Sequence, residues 1–450
     1  MPLRAQPLAY VTNQASDDRV WVIETETNTV VDTVTVADIP SRVAITPDGA
    51  FAYVTIVVNE DFLEQSGSFL RSPVPSSPAF TSPANSRGSA TSFFSNKVEV
   101  IETVTNTVVA TVTTEEPAPF GIAITPDGAL AYVTHLGPAV TVIDTLMNAV
   151  VATVPVGGEG LDVAITPDGA FAFVTTSSAN VVSVIDTSTN TMLATIEVGD
   201  TPSGVAITPD GEFAYVTNLG SDTVSRVDIA EKTVSATLAV GDGPGSVAIT
   251  PGGNAAYVTN QLSHDVSVID IETNIVVATV AVGDTPIDVA ITPDGGLVYV
   301  TNFFSDSVSV IDAATNTLVD TAEAGFLPEG IAITPGAAVT EITIDIKPGN
   351  SQNRINPASN GSIWVAILSS DPFDSLQIDT ASVQFGPDET TPVRYGVRDV
   401  NKDGLSDLLL RFSLAKAGIE CGDTQASLSG ETFFLEQFAG SDSITTVGCK

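Results

Sequence analysis

The apolar residues of this chain fall in short repeated runs that do not follow the 3.6-residue period of a helix. One unit reads GVAIT at 204–208, then a Pro-Asp-Gly turn, then AYVT at 214–217. The next segments read VSVID, as at 266–270, and NTVVATV, as at 106–112. Val, Ile, Thr and Tyr suit packed strands, and the Gly-Asp-x-Pro and Asp-Thr-x-Thr-Asn sequences between the runs suit turns. The pattern predicts an all-β fold with four short antiparallel strands per unit.

The units are regularly spaced. The aromatic residue of the Tyr-Val-Thr element falls at Tyr10, Tyr53, Tyr132, Phe173, Tyr215, Tyr257 and Tyr299. The steps are 43, 79, 41, 42, 42 and 42 residues, and the long step is one unit with about 37 extra residues. Units of this length with four strands match the blades of a β-propeller. We therefore expect a seven-bladed propeller over residues 1–338, with a loop insertion at about 59–96.

The two ends of the repeat array complement each other. The array starts at AYVT, residues 9–12, with no AIT strand before it, and finishes with one surplus AIT strand in GIAITPG at 330–336. We expect this late strand to lie innermost in the first blade, beside residues 9–12, because such closure leaves no open sheet edge at the join. Within each unit we expect Asp48 and its equivalents to cap the Pro-Asp-Gly turn through backbone hydrogen bonds.

Charge and cysteine content narrow the functional classes. Acidic residues outnumber basic ones by 54 to 16, a formal net charge of −38, so a nucleic-acid partner is not expected. No apolar run is long enough to span a bilayer. Cys421 and Cys449, the only cysteines, lie close together in sequence near the end of the chain. They are either two thiols in a reducing cell or, as we expect, a disulfide formed in an oxidising compartment.

The repeat region contains few candidates for catalytic or metal-binding residues. Seven-bladed discs include lactonases and lyases that use His, Glu or Arg near the channel, and we find no ring of such residues on the innermost strands. His135 and His264 lie three units apart, so we interpret them as surface histidines and not as metal ligands. We therefore expect no catalytic residues and no enzymatic activity.

Residues 339–450 have a different character and predict a small β-sandwich domain. Their sharpest chemical signal is DVNKDGLSD at 399–407. Side-chain oxygens of Asp399, Asn401, Asp403 and Asp407 and the backbone carbonyl of Leu405 could surround a cation, and crowded carboxylates repel unless one is bound. We predict a calcium site here, against the alternative of a metal-free turn. In the same domain, Asn360-Gly-Ser is an N-glycosylation sequon, so we predict Asn360 as a glycosylation site.

The full tetrapeptide Tyr-Val-Thr-Asn stands at 10–13, 215–218, 257–260 and 299–302. Over roughly residues 7–337 the chain resembles the YVTN β-propeller repeat family of surface-layer and other secreted proteins. The tail resembles a C-terminal β-domain with an IDIKPG start and a DVNxDGxxD loop, seen in secreted bacterial proteins.

The resemblance, the disulfide and the calcium loop imply an extracellular or cell-surface location, with a leader peptide already removed. The function expected is that of a structural or adhesive surface-layer, matrix or fibre subunit. Such a subunit would associate with itself, with other cell-surface proteins or with polysaccharide. The alternatives are a lactonase or lyase-type propeller enzyme, and a monomeric sugar- or peptide-binding module.

Overall fold

The computed structural model describes residues 7–14, 18–58, 94–336, 340–348, 352–359, 361–370, 373–388, 390–432 and 437–448. The chain divides into two compact units, of which the first is Gln6–Gly336 and the second contains Ala337–Lys450. Among the described residues, no helix has the length and apolar character needed to cross a membrane.

The first unit is built from strands, with three-residue 3-10 helices at Ser177–Ala179 and Phe303–Ser305. Its strands are β1 Leu8–Asn13, β2 Arg19–Glu24, β3 Thr29–Thr35, β4 Ile39–Ile45, β5 Phe51–Val58, β6 Phe94–Glu102, β7 Thr107–Thr113, β8 Pro119–Ile124, β9 Leu130–His135, β10 Ala139–Asp144, β11 Ala149–Pro155, β12 Gly160–Ile165, β13 Phe171–Thr176, β14 Val181–Asp186, β15 Thr191–Glu197, β16 Pro202–Ile207, β17 Phe213–Asn218, β18 Thr223–Asp228, β19 Thr233–Ala239, β20 Pro244–Ile249, β21 Ala255–Asn260, β22 Asp265–Asp270, β23 Ile275–Ala281, β24 Pro286–Ile291, β25 Leu297–Asn302, β26 Ser307–Asp312, β27 Thr317–Glu323 and β28 Pro328–Ile333. Strand β6 begins inside the range predicted for the insertion, and residues 59–93 lie outside the described part of the chain.

These strands form seven four-stranded antiparallel sheets, the blades of a propeller. Blade 1 has the order β28-β1-β2-β3, and blades 2 to 7 take the following strands four at a time, from β4–β7 to β24–β27. The innermost strand of each blade contacts the innermost strand of the next, and β28 contacts β4, so the ring is closed. Strand β28 pairs with β1 through Ala9 opposite Ile333. The predicted seven-bladed all-β fold and its closure by the late strand are confirmed.

The repeated Tyr-Val-Thr element joins each blade to the next. Its buried threonine donates a hydrogen bond to a carbonyl of the following innermost strand, at 2.5 to 3.2 Å, in all seven blades. The tyrosine hydroxyl donates to an asparagine in the outer turn of the following blade, at 2.5 to 3.1 Å. These pairs are Tyr10–Asn106, Tyr53–Asn148, Tyr132–Asn190, Tyr215–Asn274, Tyr257–Asn316 and Tyr299–Asn28. The sequence repeats because each blade must make the same contacts with its neighbour.

The Pro-Asp-Gly turns are held by their own side chains. Asp48 accepts hydrogen bonds from the Thr46 hydroxyl at 2.6 Å and from the Ala50 N–H at 3.0 Å. The Thr46 hydroxyl lowers the pKa of Asp48, although burial opposes this shift. The same threonine–aspartate pair occurs in four other blades, at Asp127, Asp168, Asp210 and Asp294. The predicted structural role of these aspartates is confirmed.

The second unit contains two four-stranded sheets and one two-stranded sheet. Its strands are β29 Thr340–Glu341, β30 Ile344–Ile346, β31 Arg354–Ile355, β32 Ser362–Ile367, β33 Gln384–Phe385, β34 Arg394–Arg398, β35 Asp407–Ser413, β36 Gln425–Glu431, β37 Gln437–Ser443 and β38 Thr445–Thr446, with 3-10 helices at Ser375–Gln377 and Leu414–Lys416. The sheet orders are β29-β37-β36-β33 and β30-β32-β35-β34. Apolar residues of both sheets share one core, in which Phe385 stacks on Phe412 with ring centroids 4.9 Å apart.

Candidate active site

One position of each innermost strand, which we call the central position, stands directly before the Val-Ala-Ile or Ile-Ala-Ile run. It is small in four blades, with Gly121, Gly204, Ser246 and Gly330, and charged in the other three, with Arg42, Asp162 and Asp288. A Cβ on Gly121 would lie 2.4 Å from the Leu161 carbonyl oxygen, and one on Gly330 would lie 2.5 Å from that of Ser41. These glycines therefore let the neighbouring strand, which bears a charged residue, approach closely.

The charged residues line a small cavity of about 90 Å³ among the innermost strands. Its polar lining consists of Arg42, Asp162, Ser203, Ser246, Gln261 and Asp288. Gln261 directly follows β21, and Ser203 is the second residue of β16. The cavity therefore lies toward the face of the ring where the innermost strands begin.

Asp162 is held by backbone groups of two blades. Its Oδ1 accepts the Val163 N–H at 2.8 Å, and its Oδ2 accepts the Val205 N–H of the next innermost strand at 2.9 Å. Burial raises the pKa of Asp162 to about 6, with a further rise from the charge of Asp288, although both N–H groups oppose the shift. A carboxyl group that titrates near neutral pH can take up and release a proton during a reaction.

Asp288 has the equivalent arrangement on β24. Its Oδ1 accepts the Val289 N–H at 3.0 Å and the Ser246 hydroxyl at 2.7 Å, and its Oδ2 accepts the Ile331 N–H at 3.0 Å. These three hydrogen bonds hold the Asp288 carboxyl group in place, and the bond to Ile331 links blade 7 to the closing strand.

Arg42 lies between the acidic groups and forms an ion pair with buried Glu329, whose Oε1 is 3.2 Å from Arg42 Nη1. Gln14 donates to the other oxygen of Glu329. Burial alone would lower the pKa of the guanidinium, but the carboxylates of Asp288, Glu329 and Asp162 outweigh it and raise that pKa. The cavity therefore contains a permanent cation.

The ion pair leaves donor capacity on Arg42. Although Nη1 is close to Glu329, the geometry does not make a hydrogen bond, and this buried nitrogen has no hydrogen-bond partner among the described residues. The guanidinium also lies over the ring of Phe120, with its central carbon 5.0 Å from the ring centroid. Arg42 also belongs to the cavity lining, which places a cation with several N–H donors beside any ligand there.

The innermost strands carry Arg42 on β4 and Glu329 on β28, two residues of the types for which the sequence predicts no ring, and Asp162 and Asp288 stand on two further innermost strands. The repeat itself held the missed signal. Four blades have Gly or Ser at the central position, so the three charged residues depart from the repeat at the one place where all seven blades converge.

The interpretation of both histidines as surface residues is wrong for His135. Its side chain is fully buried, with Nε2 2.8 Å from the Thr141 hydroxyl and Nδ1 3.1 Å from the Pro117 carbonyl oxygen. It occupies the place of the asparagine in Tyr-Val-Thr-Asn, which in blade 5 donates from Asn218 to Ser225. His264 is exposed and accepts the Thr285 N–H.

The predicted calcium loop lies at the start of β35, and its carboxylates bond to the loop backbone. Both oxygens of fully buried Asp407 accept N–H groups, from Ser369 at 2.9 Å and Val400 at 2.7 Å. Asp399 accepts the N–H groups of Lys402 and Gly404. These two hydrogen bonds anchor Asp407 in the hairpin and leave a lone pair on each of its oxygens.

The rest of that loop is exposed. Asp403 accepts the Leu405 N–H at 2.8 Å and pairs with the side chain of Asn401. No group of three or more His, Cys, Asp or Glu side chains in the described ranges is placed to hold a metal ion. Calcium binding at Asp399, Asn401, Asp403, Leu405 and Asp407 stays a prediction.

The two remaining predicted sites fall partly or wholly outside the described residues. Cys421 is disulfide-bonded, and no described cysteine is a free thiol. Cys449 and Asn360 lie outside the described residues, so the pairing partner and the glycosylation site stay predictions.

Comparison with known proteins finds a family model that matches part of the propeller. The family model described as "Lactonase, 7-bladed beta-propeller" matches residues 199–335. Asp288 and Glu329 lie inside the matched residues, whereas Arg42 and Asp162 precede them. A search of curated proteins finds no match.

Solved structures share the propeller fold at low sequence identity. The periplasmic gluconolactonase PpgL of Pseudomonas aeruginosa has a TM-score of 0.57 and 18% identity, over 74% of this chain and 100% of that chain. A functionally unknown protein of Desulfotomaculum acetoxidans DSM 771 has a TM-score of 0.59 and 19% identity, over 73% and 99% of the two chains. Hydrazine synthase of Kuenenia stuttgartiensis has a TM-score of 0.54 and 24% identity, over 68% and 92%. These likenesses concern the fold.

Two predictions from the sequence are therefore corrected. The lactonase-family match and the gluconolactonase neighbour favour the enzyme alternative, so the main prediction of a structural surface-layer, matrix or fibre subunit is wrong. The prediction that the protein is not an enzyme is wrong for the same reason. The propeller part of the predicted resemblance is confirmed, while its assignment to the YVTN repeat family stays a prediction.

Proposed function

We propose that this protein is a hydrolase that opens cyclic esters. The reaction takes place in the cavity among the innermost strands, which we call the axial cavity. The observation that carries the proposal is the presence of Arg42 and Asp162 in the lining of one cavity. Ester hydrolysis needs a group that accepts a proton from water and a donor for the developing oxyanion. Asp162, with its pKa raised to about 6, suits the first role, and the guanidinium of Arg42, which belongs to the same lining, suits the second.

The proposed steps balance as follows. Asp162 accepts a proton from water while the water oxygen bonds to the lactone carbonyl carbon, and the oxyanion that forms accepts a hydrogen bond from Arg42. The carbonyl re-forms, the ring C–O bond breaks, and Asp162 returns the proton to the leaving alkoxide. A carboxylate has about four lone-pair sites, so the two backbone hydrogen bonds of Asp162 leave room for this proton.

Glu329 acts in this scheme as a positioning residue. It lies outside the cavity lining, but its 3.2 Å ion pair fixes the guanidinium of Arg42, and Gln14 fixes Glu329 in turn. A guanidinium held in place before the reaction stabilises an oxyanion without a reorganisation cost.

Lactone hydrolysis by the purified chain tests the proposal. Acid release would be followed at constant pH with δ-valerolactone and glucono-δ-lactone, after subtraction of the spontaneous rate. We expect Asp162→Asn to lower kcat by about 10²- to 10⁴-fold and Arg42→Gln by about 10²- to 10³-fold. The matched control is Asp242→Asn, an exposed turn residue outside the cavity, which should retain full activity. Absence of turnover by the folded wild-type chain, or full activity of Asp162→Asn, would refute the proposal.

We also propose that the protein works outside the cytoplasm. The disulfide at Cys421 supports this location, because such bonds persist mainly in oxidising compartments. Fractionation of the source organism should find the protein outside the cytoplasm, with Cys421 resistant to alkylation until a reductant is added. Recovery in the cytosol with a freely alkylated thiol would contradict this location.

A further inference from the structure

In the second unit, the sheet β30-β32-β35-β34 has one face in the core and one face outside it. Alternate residues of β32 and β35 fill the core, and the residues between them point the other way. On that outer side Trp364 lies opposite Arg411, and Arg411 lies opposite Arg394 on the edge strand β34. Directly opposite residues share a face, so the three form a row across the sheet. We call this row, with Ser362 and Arg398, the arginine face.

The arginine face is open to solvent. Trp364 is 37% exposed, and Arg394 and Arg398 are exposed as well, while Arg411 is half-buried. Gly396 lies between the two exposed arginines on β34, and a Cβ added there would meet no described atom within 4 Å. The sheet is therefore uncovered at this point, with an arginine on each side of the opening.

The positive charge of this face is not balanced by the protein. The chain has 16 basic residues against 54 acidic ones, yet the ion pairs among the described residues are those of Arg42 and Lys97. The three arginines of the face form none. Like charges directly opposite each other destabilise a sheet, and Arg411 and Arg394 have this arrangement. An anion that contacts both guanidinium groups would relieve their repulsion.

The centre of the row is held in place before any ligand arrives. The Nε of Arg411 donates a hydrogen bond to the Ser362 hydroxyl at 2.7 Å, and its guanidinium carbon lies 5.9 Å from the centroid of the Trp364 ring. The Nη groups of Arg411 donate to no described residue, and a planar guanidinium matches the two oxygens of a carboxylate. The face thus combines carboxylate donors with the flat apolar surface of an indole ring.

We infer that the arginine face binds an acidic polysaccharide, a chain of uronic acid residues. A uronic acid ring carries a carboxylate for Arg411 and Arg394, and its C–H groups form a flat surface that packs on Trp364. Arg398 follows Arg394 by four residues, which is about 13 Å along a strand. One sugar cannot reach both, whereas a polymer offers a second carboxylate to Arg398. This site lies in the second unit and does not depend on the proposed hydrolase function.

Binding of three polymers by the full-length protein tests the inference. The polymers are polygalacturonate, neutral dextran and poly-L-glutamate, compared by isothermal titration calorimetry in the presence of a chelator, so that calcium cannot bridge two anions. We expect binding of polygalacturonate that weakens as NaCl is raised from about 50 to about 500 mM, because salt screens the exposed charges. Dextran should not bind, and poly-L-glutamate should bind at least about fivefold more weakly, since it has no ring for Trp364.

Three variants assign the binding to the face. Arg394→Gln should lower the affinity for polygalacturonate by about tenfold and reduce its dependence on salt. Trp364→Ala should lower it by about fivefold and leave the salt dependence unchanged, because ring packing involves no net charge. Arg19→Gln, the same change at an exposed arginine on β2, should bind like the wild type. If Trp364→Ala does not fold, Arg394→Gln and the ranking of the polymers decide.

The remaining outcomes overturn the inference. The wild type may bind no polygalacturonate, or Arg394→Gln may bind it as tightly as the wild type; in either case the face is not a polyuronate site. Equal affinity for poly-L-glutamate would identify acidic peptides as the ligand. Self-association in sedimentation experiments that Arg394→Gln abolishes would show that the occupant is the acidic surface of a second copy.

Discussion

Phe173 and Lys232 face each other's positions across the junction of blades 4 and 5. At each of the six other junctions the same two positions hold a tyrosine and an asparagine that are hydrogen-bonded to each other. Both members of the pair have changed together, so no buried hydroxyl is left without an acceptor. Phe173 is fully buried, and the ammonium of Lys232 lies over the ring of Phe171, 5.2 Å from its centroid. Lys232 keeps the left-handed backbone of the asparagines it replaces, with φ of 53°.

The first prediction concerns this junction. Phe173→Tyr alone should change the stability by less than about 1 kcal/mol, because the new hydroxyl lacks the asparagine acceptor and keeps only a backbone carbonyl of the outer turn, as Tyr10 has at Thr103. Lys232→Asn alone should stabilise it by about 0.5 kcal/mol, since asparagine tolerates the left-handed region better than lysine. The double variant should gain about 1 kcal/mol beyond the sum of the single changes. Urea unfolding of the four proteins measures this coupling.

A control is available at the preceding junction. Tyr132 donates to Asn190 at 2.6 Å, so Tyr132→Phe should lose about 1 kcal/mol of unfolding free energy. If the pair Phe173→Tyr and Lys232→Asn shows no coupling while Tyr132→Phe is destabilising, the two junctions are not equivalent and the prediction is wrong.

The second prediction concerns the pH dependence of the proposed activity. Asp162 must be deprotonated to accept a proton from water, and its pKa is raised to about 6. The value of kcat/KM for a neutral lactone should therefore rise with pH through a midpoint near 6 and then level off. In Asp162→Asn the residual rate should lack this rise. A wild-type profile that is flat between pH 5 and pH 8 would exclude Asp162 as the base.

The third prediction concerns acid stability and His135. Burial lowers the pKa of His135 to about 4, below its ordinary value of 6.5, although the bond to the Pro117 carbonyl opposes the shift. Between these values the unfolded chain binds the proton and the folded chain does not. The stability that the neutral imidazole contributes is therefore full above pH 6.5 and is lost as the pH falls toward 4, by about 3 kcal/mol at most.

Two histidine variants separate this effect from general acid denaturation. His135→Asn restores the Tyr-Val-Thr-Asn sequence and should remove that part of the stability loss between pH 7 and pH 4.5, measured by urea unfolding. His264→Asn is the matched control, because His264 is exposed and Asn180 stands at the equivalent position of blade 4, with the same left-handed backbone. If His135→Asn and the wild type lose stability equally between pH 7 and pH 4.5, protonation of His135 does not contribute to the acid destabilisation and the prediction is wrong.

The fourth prediction distinguishes the anchor of the acidic loop from its possible cation ligands. Asp407→Ala leaves the buried N–H groups of Ser369 and Val400 without acceptors, so it should destabilise the second unit by about 2 to 4 kcal/mol with or without calcium. Asp403→Ala removes an exposed side chain and should cost little in chelator. If the loop binds calcium, that variant should also lose the stabilisation that calcium gives the wild type.

Thermal unfolding of both variants in millimolar calcium and in chelator makes the comparison. Calcium that does not change the melting temperature of the wild type, or that stabilises Asp403→Ala equally, would dismiss the calcium prediction for this loop. The effect of Asp407→Ala tests the hydrogen bonds alone.

The propeller could be predicted from the sequence because every blade makes the same contacts. Seven threonines must reach the next strand and six tyrosines must reach an asparagine, so the same residues recur at a fixed spacing. The surplus strand at 330–336 predicted closure of the ring for a similar reason. The first sheet lacks an innermost strand in the N-terminal sequence, and its open edge requires one.

The candidate site could not be predicted in the same way, because it depends on departures from the repeat. Arg42, Asp162 and Asp288 lie far apart in the chain and share no motif, and only ring closure brings them together. Aligning the seven innermost strands would have shown that charge occurs where glycine or serine is usual. The ion pair of Arg42 with Glu329 also needs coordinates, because it links blade 2 to the closing strand.

The pairing of β28 with β1 has a consequence for biosynthesis. While the polypeptide emerges from the ribosome, the first sheet holds only three strands, and its inner edge stays open until Ile333 has been translated. Six complete sheets must wait for that last segment before the disc becomes circular. A nascent chain with an uncovered edge is prone to mispairing, so we expect chaperone engagement to persist through synthesis of the whole disc and to end only when it shuts.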